Sequence, residues 1–330
     1  MLKLPEYQLT SILADKPQMV VYRARTRDGR PVIVKSSRSD EADAGVLARI
    51  NHEYEVTRDL EATGVIKPLR LERYGGGLAL IFEDYAGETL RDLLSNGALP
   101  LERFFPLASG LAAILADLHA GNIIHKDIKP DNILIDSEGR PHILDFGISS
   151  KISLKRKHLG NPGVLEGTLA YISPEQTGRM NRFIDYRTDL YSLGVTFYEM
   201  LTGRLPFEAR DHLEIVHAHM ARPAPPPHQL NPEVPAALSS IILKLLAKNA
   251  EDRYESALGL KFDLDLCRDN QLSEDFEPGK RDASGRFQIP QKLYGREDQR
   301  KQLLDAFERT AAGARELTLV TGFSGTGKTA

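Results

Sequence analysis

The sequence has one cysteine, no tryptophan and no long hydrophobic run, and each absence narrows what the protein can be. The single cysteine, Cys267, excludes an internal disulfide and a metal site built from cysteines. No segment reaches the roughly 18 uninterrupted apolar residues of a transmembrane helix. The N-terminus lacks the cationic flank and apolar stretch of a signal peptide. We therefore expect a cytoplasmic chain with no membrane segment.

Composition and charge are those of an ordinary globular protein. The length of 330 residues is enough for about two domains. Hydrophobic residues make up 41% and charged residues 27% of the sequence, as in soluble globular proteins. The net charge of −3 and the isoelectric point near 6.3 do not suggest a nucleic-acid binder. We expect no nucleic-acid partner.

Two kinds of pattern divide the first 268 residues. Residues 7–85 show short β-branched runs around one helix, with an Asp28-Gly29 hairpin turn. Later residues show apolar stripes at helical spacing, ended by Gly121 and Gly203. A second hairpin turns near residues 137–139, and residues 223–235 form a proline-rich loop. The pattern predicts an α+β fold with a β-rich part followed by a helical part.

A polar constellation in the second hairpin has the chemistry of phosphoryl transfer from Mg-ATP. Such a site must hold the metal, neutralise the phosphates and orient the acceptor hydroxyl. Asn132 and Asp145, 13 positions apart, offer oxygen ligands that suit Mg²⁺. Asp127 is placed to accept the proton of a substrate hydroxyl, and Lys129 to screen the transferring group.

These residues stand in motifs that resemble the eukaryotic-type Ser/Thr protein kinases. Residues 125–132 (HKDIKPDN, here the catalytic loop) match the catalytic-loop pattern, and residues 145–147 match the metal-binding Asp-Phe-Gly. The resemblance covers residues 7–267 and implies a bilobal kinase fold, with ATP between the lobes. It also implies that Lys35 pairs with Glu53. It assigns fold-supporting roles to Glu175, Asp189 and Arg253.

The phosphate-covering loop departs from the family pattern, which has three glycines. The corresponding positions of residues 14–19, here the nucleotide loop, are Ala14, Lys16 and Met19. Without glycine the backbone amides approach phosphates less closely, so we expect ATP to be held differently or less tightly. Two interpretations of Lys16 stay open: a charge that assists binding, or an exposed turn residue.

The resemblance also implies an adenine slot that is narrow and apolar. Val21 lies above this slot and Leu134 below it, while Ile33 replaces the usual small residue. Phe82 is the predicted gatekeeper, and Glu83 to Tyr85 form the hinge that presents backbone groups to the adenine edge.

The activation segment, residues 145–175, raises a further alternative. Its basic run is either a solvated charged stretch or a docking surface for acidic or phosphorylated residues. Lys126 replaces the usual arginine before Asp127, which puts control by a phosphorylated activation loop in question. The basic run consists of Lys151, Lys155, Arg156, Lys157 and His158.

A second unit follows a polar linker. We predict a kinase domain over residues 1–268, a linker over 269–292 and the opening part of an AAA-type P-loop ATPase over 293–330. A strand pattern at residues 316–321 leads into a complete G-x-x-x-x-G-K-T motif. This truncated α/β fragment would hold phosphates and Mg²⁺ through Gly322, Gly327, Lys328 and Thr329.

The sequence thus predicts a Ser/Thr protein kinase that uses ATP and Mg²⁺ and acts on protein substrates. The nucleotide loop, the ISPEQTGRMNR run at residues 172–182 and the attached ATPase resemble large hybrid proteins that continue into a sensor histidine kinase. The implied partners are therefore the ATPase and histidine kinase domains of one longer polypeptide. The alternative is a pseudokinase or nucleotide-sensing scaffold that regulates the ATPase.

Overall fold

The computed structural model describes residues 4–38, 43–151, 167–179, 182–209, 211–272 and 276–282, and parts of 297–321. The chain divides into two units, residues 1–284 and 285–330, and each is described by itself. Helices and strands are numbered here in chain order.

A five-stranded antiparallel sheet forms the N-terminal lobe, with strand order β1-β2-β3-β5-β4. The predicted turn between β2 and β3 is present, and Gly29 adopts a φ of 83° there, which glycine tolerates best. Helix α1 (Ala44–Thr57) begins after Asp43, whose carboxylate caps it by accepting a hydrogen bond from the Gly45 amide. The strands are β1 (Tyr7–Asp15), β2 (Met19–Thr26), β3 (Pro31–Ser37), β4 (Pro68–Tyr74) and β5 (Gly77–Glu83).

Alternation along β5 divides its side chains between the two faces of the sheet. Leu78, Leu80 and Phe82 pack with Val46 and Ile50 of α1. The intervening residues of β5 join a separate apolar cluster on the opposite face. Both faces of β5 are buried, which explains why this interior strand is almost continuously apolar in sequence. The rigid sheet fixes the hinge that follows β5.

Helices form the C-terminal lobe around one apolar core. The central helices α3 and α4 are buried along most of their length, with α3 packed against α8 and α4 against α7. The helices are α2 (Leu90–Leu94), α3 (Leu101–Ala120), α4 (Arg187–Thr202), α5 (His212–Ala221), α6 (Pro227–Leu230), α7 (Ala236–Leu245) and α8 (Ala257–Arg268).

Short strands line the boundary between the lobes. The predicted second hairpin is present as β8 and β9, and β6 extends it to three strands. Strands β7 and β10 form a separate pair. Their bounds are β6 (Gly87–Thr89), β7 (Ile123–Ile124), β8 (Ile133–Asp136), β9 (Pro141–Ile143) and β10 (Ser150–Lys151).

Part of the predicted linker packs on the helical lobe. Asp282 accepts hydrogen bonds from the amide and hydroxyl of Ser256 at the start of α8. The Gly279 amide donates to Asp263 over 2.7 Å, and Phe276 packs against the core. The first unit therefore continues to Ser284, beyond the predicted kinase boundary at residue 268.

Two local expectations differ from the structure. Helix α6 (Pro227–Leu230) interrupts the predicted proline-rich loop, because proline suits the first turn of a helix. In the second unit residues Glu297–Ala311 form helix α9, but residues 315–319, within the predicted strand region, form no strand. A strand needs a neighbouring backbone to pair with, and among the described residues no backbone forms a ladder with this segment. Leu317 and Leu319 are exposed.

The bilobal α+β architecture agrees with the sequence prediction. No helix in the described part of the chain combines the length and apolarity needed to cross a lipid bilayer.

Candidate functional site

A cavity of about 320 Å³ lies between the sheet and the helical lobe. Its walls include every predicted cofactor-binding residue of the first unit. These residues are Ala14, Lys16, Val21, Ile33, Lys35, Phe82, Glu83, Tyr85, Leu134 and Asp145, together with Glu53 and Asn132.

Lys35 on β3 forms ion pairs with two carboxylates, Glu53 on α1 and Asp145 at the start of the activation segment. Its ammonium lies 2.6 Å from Glu53 Oε2 on α1 and 2.8 Å from Asp145 Oδ1. Burial alone would lower the pKa of Lys35, but Asp145 and Glu53 raise it, so the ammonium stays charged. The ammonium has three donors, and it uses two of them with the residues that the structure describes. The third is available to an oxygen in the cavity.

The Asp127 carboxylate is held by hydrogen bonds from both sides. Its Oδ1 accepts from the amide and hydroxyl of Thr168, at 3.0 and 2.9 Å. Its Oδ2 accepts from Lys129 Nζ at 2.7 Å and Asn132 Nδ2 at 3.0 Å. Asp127 and Lys129 line a second cavity of about 430 Å³, which shares Lys16, Met19, Glu53 and Asp145 with the first.

A glycine allows this close approach of the activation segment. Gly167 adopts a φ of 102°, and a Cβ there would lie 3.1 Å from the Lys126 carbonyl oxygen. A side chain would therefore push the segment that carries Thr168 away from Asp127.

Buried groups hold the catalytic loop from below. Asp189 on α4 accepts hydrogen bonds from the His125 and Lys126 amides at 2.9 and 2.8 Å, and lies 3.0 Å from His119 Nε2. Lys126 adopts a φ of 71°, which costs a non-glycine residue about 1–2 kcal/mol. The Asp189 carboxylate stabilises that conformation. The fold-supporting role predicted for Asp189 matches these contacts.

Asn132 and Asp145 each keep one oxygen for a cation. Asn132 donates its NH₂ group to the Asp127 backbone and carboxylate, so its amide oxygen is left over. Asp145 Oδ1 binds Lys35, and Oδ2 makes no hydrogen bond within the described residues. Burial alone would raise the pKa of Asp145, but Lys35 holds it well below its ordinary range. Two hard oxygen donors facing a phosphate site fit Mg²⁺.

The nucleotide loop is a tight turn between β1 and β2. The Lys16 amide donates to the Met19 carbonyl over 2.9 Å, and Pro17 and Gln18 form the tip. Arg38, at the end of β3, donates from Nε to the Lys16 carbonyl at 3.2 Å and pairs with Asp15. Lys16 lines both cavities.

Glu175 and Arg253 meet at the base of the activation segment. Both side chains are buried, and the guanidinium binds the carboxylate at 2.7 and 2.9 Å. Burial alone would raise the pKa of Glu175, but the Arg253 charge lowers it. The pair lies away from both cavities and supports the fold, as predicted.

Sequence reasoning missed three contributions to the site. The hydrogen bonds of Thr168 to Asp127 join residues 41 positions apart, which the sequence does not reveal. Arg38 gave no local signal, because its contact with the turn depends on how the strands pair. Arg23 on β2 pairs with Asp84 of the hinge at 2.8 Å, and both line the first cavity.

Some predicted residues lie outside the described part of the chain. They are the P-loop residues Gly322, Gly327, Lys328 and Thr329, and the basic residues Lys155, Arg156, Lys157 and His158. Predictions about them stay predictions.

Comparison with known protein families agrees with the geometry. Residues 18–261 match the protein kinase domain. The chain belongs to the protein kinase family. Residues 292–330 match the AAA ATPase domain. Both matches imply the use of ATP.

Curated relatives of this kinase chain include bacterial kinases and a hybrid signalling protein. It is 32% identical over 265 residues to a probable serine/threonine-protein kinase of Clostridium perfringens, covering 79% of this chain and 38% of that protein. It is 32% identical over 275 residues to serine/threonine-protein kinase PknB of Mycobacterium leprae, and the match covers 81% of this chain and 44% of that protein. It is 30% identical over 322 residues to hybrid signal transduction histidine kinase G of Dictyostelium discoideum, and the match covers 70% of this chain and 9% of that protein. The chain spans less than half of the length of each.

Proposed function

We propose that this chain is a serine/threonine protein kinase that transfers the γ-phosphoryl group of Mg-ATP to a protein hydroxyl. The observation that carries the proposal is the position of the Asp127 carboxylate. It accepts hydrogen bonds from Lys129, Asn132 and Thr168, and it lines the same cavity as Asp145. Such a carboxylate is oriented before any substrate arrives.

The residues have separable tasks in this reaction. The acceptor hydroxyl gives its proton to Asp127 as its oxygen bonds to the γ-phosphorus, and the bond from that phosphorus to the ADP oxygen breaks. Lys129, beside Asp127, offsets negative charge on the transferring group. The third donor of Lys35 binds a phosphate oxygen. Asn132 and Asp145 would hold Mg²⁺, which when bound neutralises phosphate charge.

The apolar walls give the adenine its place. Val21, Ile33 and Leu134 line the first cavity, and Phe82 is buried at its back. The hinge residues Glu83 and Tyr85 also line it, so their backbone groups are available to the adenine edge. This arrangement supports the predicted nucleotide orientation, with the phosphates toward Lys35.

The multidomain context supports a signalling role. The AAA ATPase match and the hybrid relative agree with a kinase that acts beside an ATPase, and further along the polypeptide beside a histidine kinase. The names of the bacterial relatives favour serine or threonine as the acceptor.

A pseudokinase is the second candidate, because the nucleotide loop gives up part of its backbone donors to its own turn. One experiment separates the two. Transfer of the radiolabelled γ-phosphate to a generic protein substrate should be measurable for the wild type, and Asp127→Asn should lower it by ~10²–10⁴-fold.

The matched control is Asp117→Asn, which removes the same charge from the exposed face of α3. It should leave transfer unchanged. Equal activity of wild type and Asp127→Asn would overturn the proposal and favour the pseudokinase.

A further inference from the structure

Among the described residues that line the first cavity, one cation has no carboxylate partner. Among the described residues, the cations that line it are Lys16, Arg23 and Lys35. Arg23 pairs with Asp84, and Lys35 pairs with Glu53 and Asp145. The Lys16 ammonium makes no hydrogen bond or ion pair with any residue that the structure describes. Its charge is therefore available to a ligand.

The position of Lys16 points toward the phosphate end of the site. It lines the cavity that holds Asp145 and also the cavity that holds Asp127 and Lys129. Burial alone would raise the pKa of Asp145, whereas Lys35 and, to a smaller extent, Lys16 lower it. The Lys16 charge thus acts where the phosphates would lie.

The backbone of the nucleotide loop cannot cradle phosphates as a glycine-rich loop does. A phosphate cradle needs several successive free amides. Here the Lys16 amide is bonded to the Met19 carbonyl, and Pro17 has no N–H to offer. At the tip of this turn the Lys16 side chain, rather than successive backbone amides, supplies positive charge.

Arg38 holds this turn from outside the cavity. Its amide donates to the Gln18 carbonyl at 3.1 Å, and its guanidinium binds the Lys16 carbonyl and the Asp15 carboxylate. Three groups of the turn are therefore tied to the end of β3. Because the backbone of the turn is held before binding, less backbone entropy is lost when Lys16 binds a ligand.

We propose that Lys16 binds the phosphate groups of the nucleotide in place of glycine-loop amides, and that Arg38 is the positioning residue that holds Lys16 over them. The inference rests on the proposed nucleotide site between the lobes and names the residue that recognises its phosphates.

The test compares ATP with adenosine, which lacks phosphates. Isothermal titration would use the full chain carrying Lys328→Ala, so that the P-loop lysine of the second unit adds no phosphate contact. In that chain Lys16→Gln should weaken ATP binding by roughly tenfold or more, as expected for a charged hydrogen bond. Adenosine affinity should not change. The loss should shrink at high salt, because an exposed charge is screened.

The matched control is Arg73→Gln, which removes an exposed positive charge from β4 outside both cavities. It should leave both affinities unchanged. If Lys16→Gln leaves ATP affinity at the wild-type value, the inference is wrong while the nucleotide site stands. If Lys16→Gln weakens adenosine equally, Lys16 acts on the shape of the cavity and the inference is also wrong. If the wild type binds neither ligand, the proposed function fails with it.

A double-mutant cycle tests Arg38. If Arg38 acts through Lys16, Arg38→Gln should weaken ATP binding by about threefold when Lys16 is present and not at all when Lys16→Gln is present. Additive losses would contradict the positioning role, because they would mean that Arg38 binds phosphate or shapes the cavity on its own.

Discussion

The catalytic loop and the nucleotide loop face the same cavities but are held by different kinds of interaction. Buried groups hold the catalytic loop: Asp189 is inaccessible to solvent and binds two of its amides. The nucleotide loop is held by Arg38 and Asp15, which are about half exposed. Exposed ion pairs contribute little to stability, whereas a buried acceptor satisfies amides that would otherwise be costly to bury. We infer that the first loop is held by buried contacts that the fold depends on, and the second by exposed contacts that contribute less to stability.

Removing the carboxylate that holds each loop, Asp189 on α4 for the catalytic loop and Asp15 for the nucleotide loop, should give the largest contrast. Asp189→Ala leaves two buried amides without an acceptor, so we expect the free energy of unfolding to fall by about 3–5 kcal/mol. Asp15→Ala loses only an exposed pair and should cost less than about 1 kcal/mol. Urea unfolding followed by far-ultraviolet circular dichroism measures both, since the chain has no tryptophan. Equal losses would break the comparison.

The buried pair Glu175–Arg253 should make the scaffold sensitive to acid. Burial alone would raise the pKa of Glu175, but Arg253 and Thr188 hold it below its ordinary value of 4.5. The unfolded chain therefore takes up the proton first as pH falls. This stabilisation is complete above pH ~4.5 and is lost as pH drops through the folded pKa.

Glu175→Gln should remove that pH-dependent contribution. We expect the variant to be about 3 kcal/mol less stable at neutral pH, because Arg253 loses its partner. Its stability should then decline less steeply than that of the wild type below pH ~4.5. Urea midpoints at several pH values measure this. Parallel curves for the two proteins would contradict the assignment.

Restoring glycine to the nucleotide loop should have the smallest effect. In Ala14→Gly/Met19→Gly, Lys16 is retained, so we expect ATP affinity to weaken by about threefold through added backbone freedom. Tighter binding would instead mean that the side chains at these positions keep the phosphates away. Isothermal titration with ATP separates the two outcomes.

Features that depend on local sequence could be predicted, whereas contacts between distant segments could not. The strands, the hairpin at residues 133–143 and helices α3 and α4 follow from local periodicity and turn residues. The residues of the catalytic loop fall in one short segment, so their spacing predicts that they act together. The β-rich and helical lobes were therefore predictable.

Contacts set by strand register were not predictable. Arg38 reaches the nucleotide loop only because Met19 pairs with Ser37 in the sheet. The Arg23–Asp84 pair likewise joins residues 61 positions apart. The docking of residues 276–282 depends on the Asp263 acceptor in α8 and on the Ser256 donors before it, which a polar sequence does not reveal. At residues 316–321 the local pattern alone was misleading. A strand pattern becomes a strand only where another backbone pairs with it, and residues 315–319 form none.

The most direct test of the two-loop account is steady-state kinetics of Asp127→Asn and Lys16→Gln, measured together against ATP. If the catalytic loop is fixed and the nucleotide loop serves binding, Asp127→Asn should lower kcat by ~10²–10⁴-fold with KM for ATP nearly unchanged. Lys16→Gln should raise KM for ATP by roughly tenfold with a much smaller change in kcat. If both substitutions changed the same parameter, the division of labour between the two loops would be wrong.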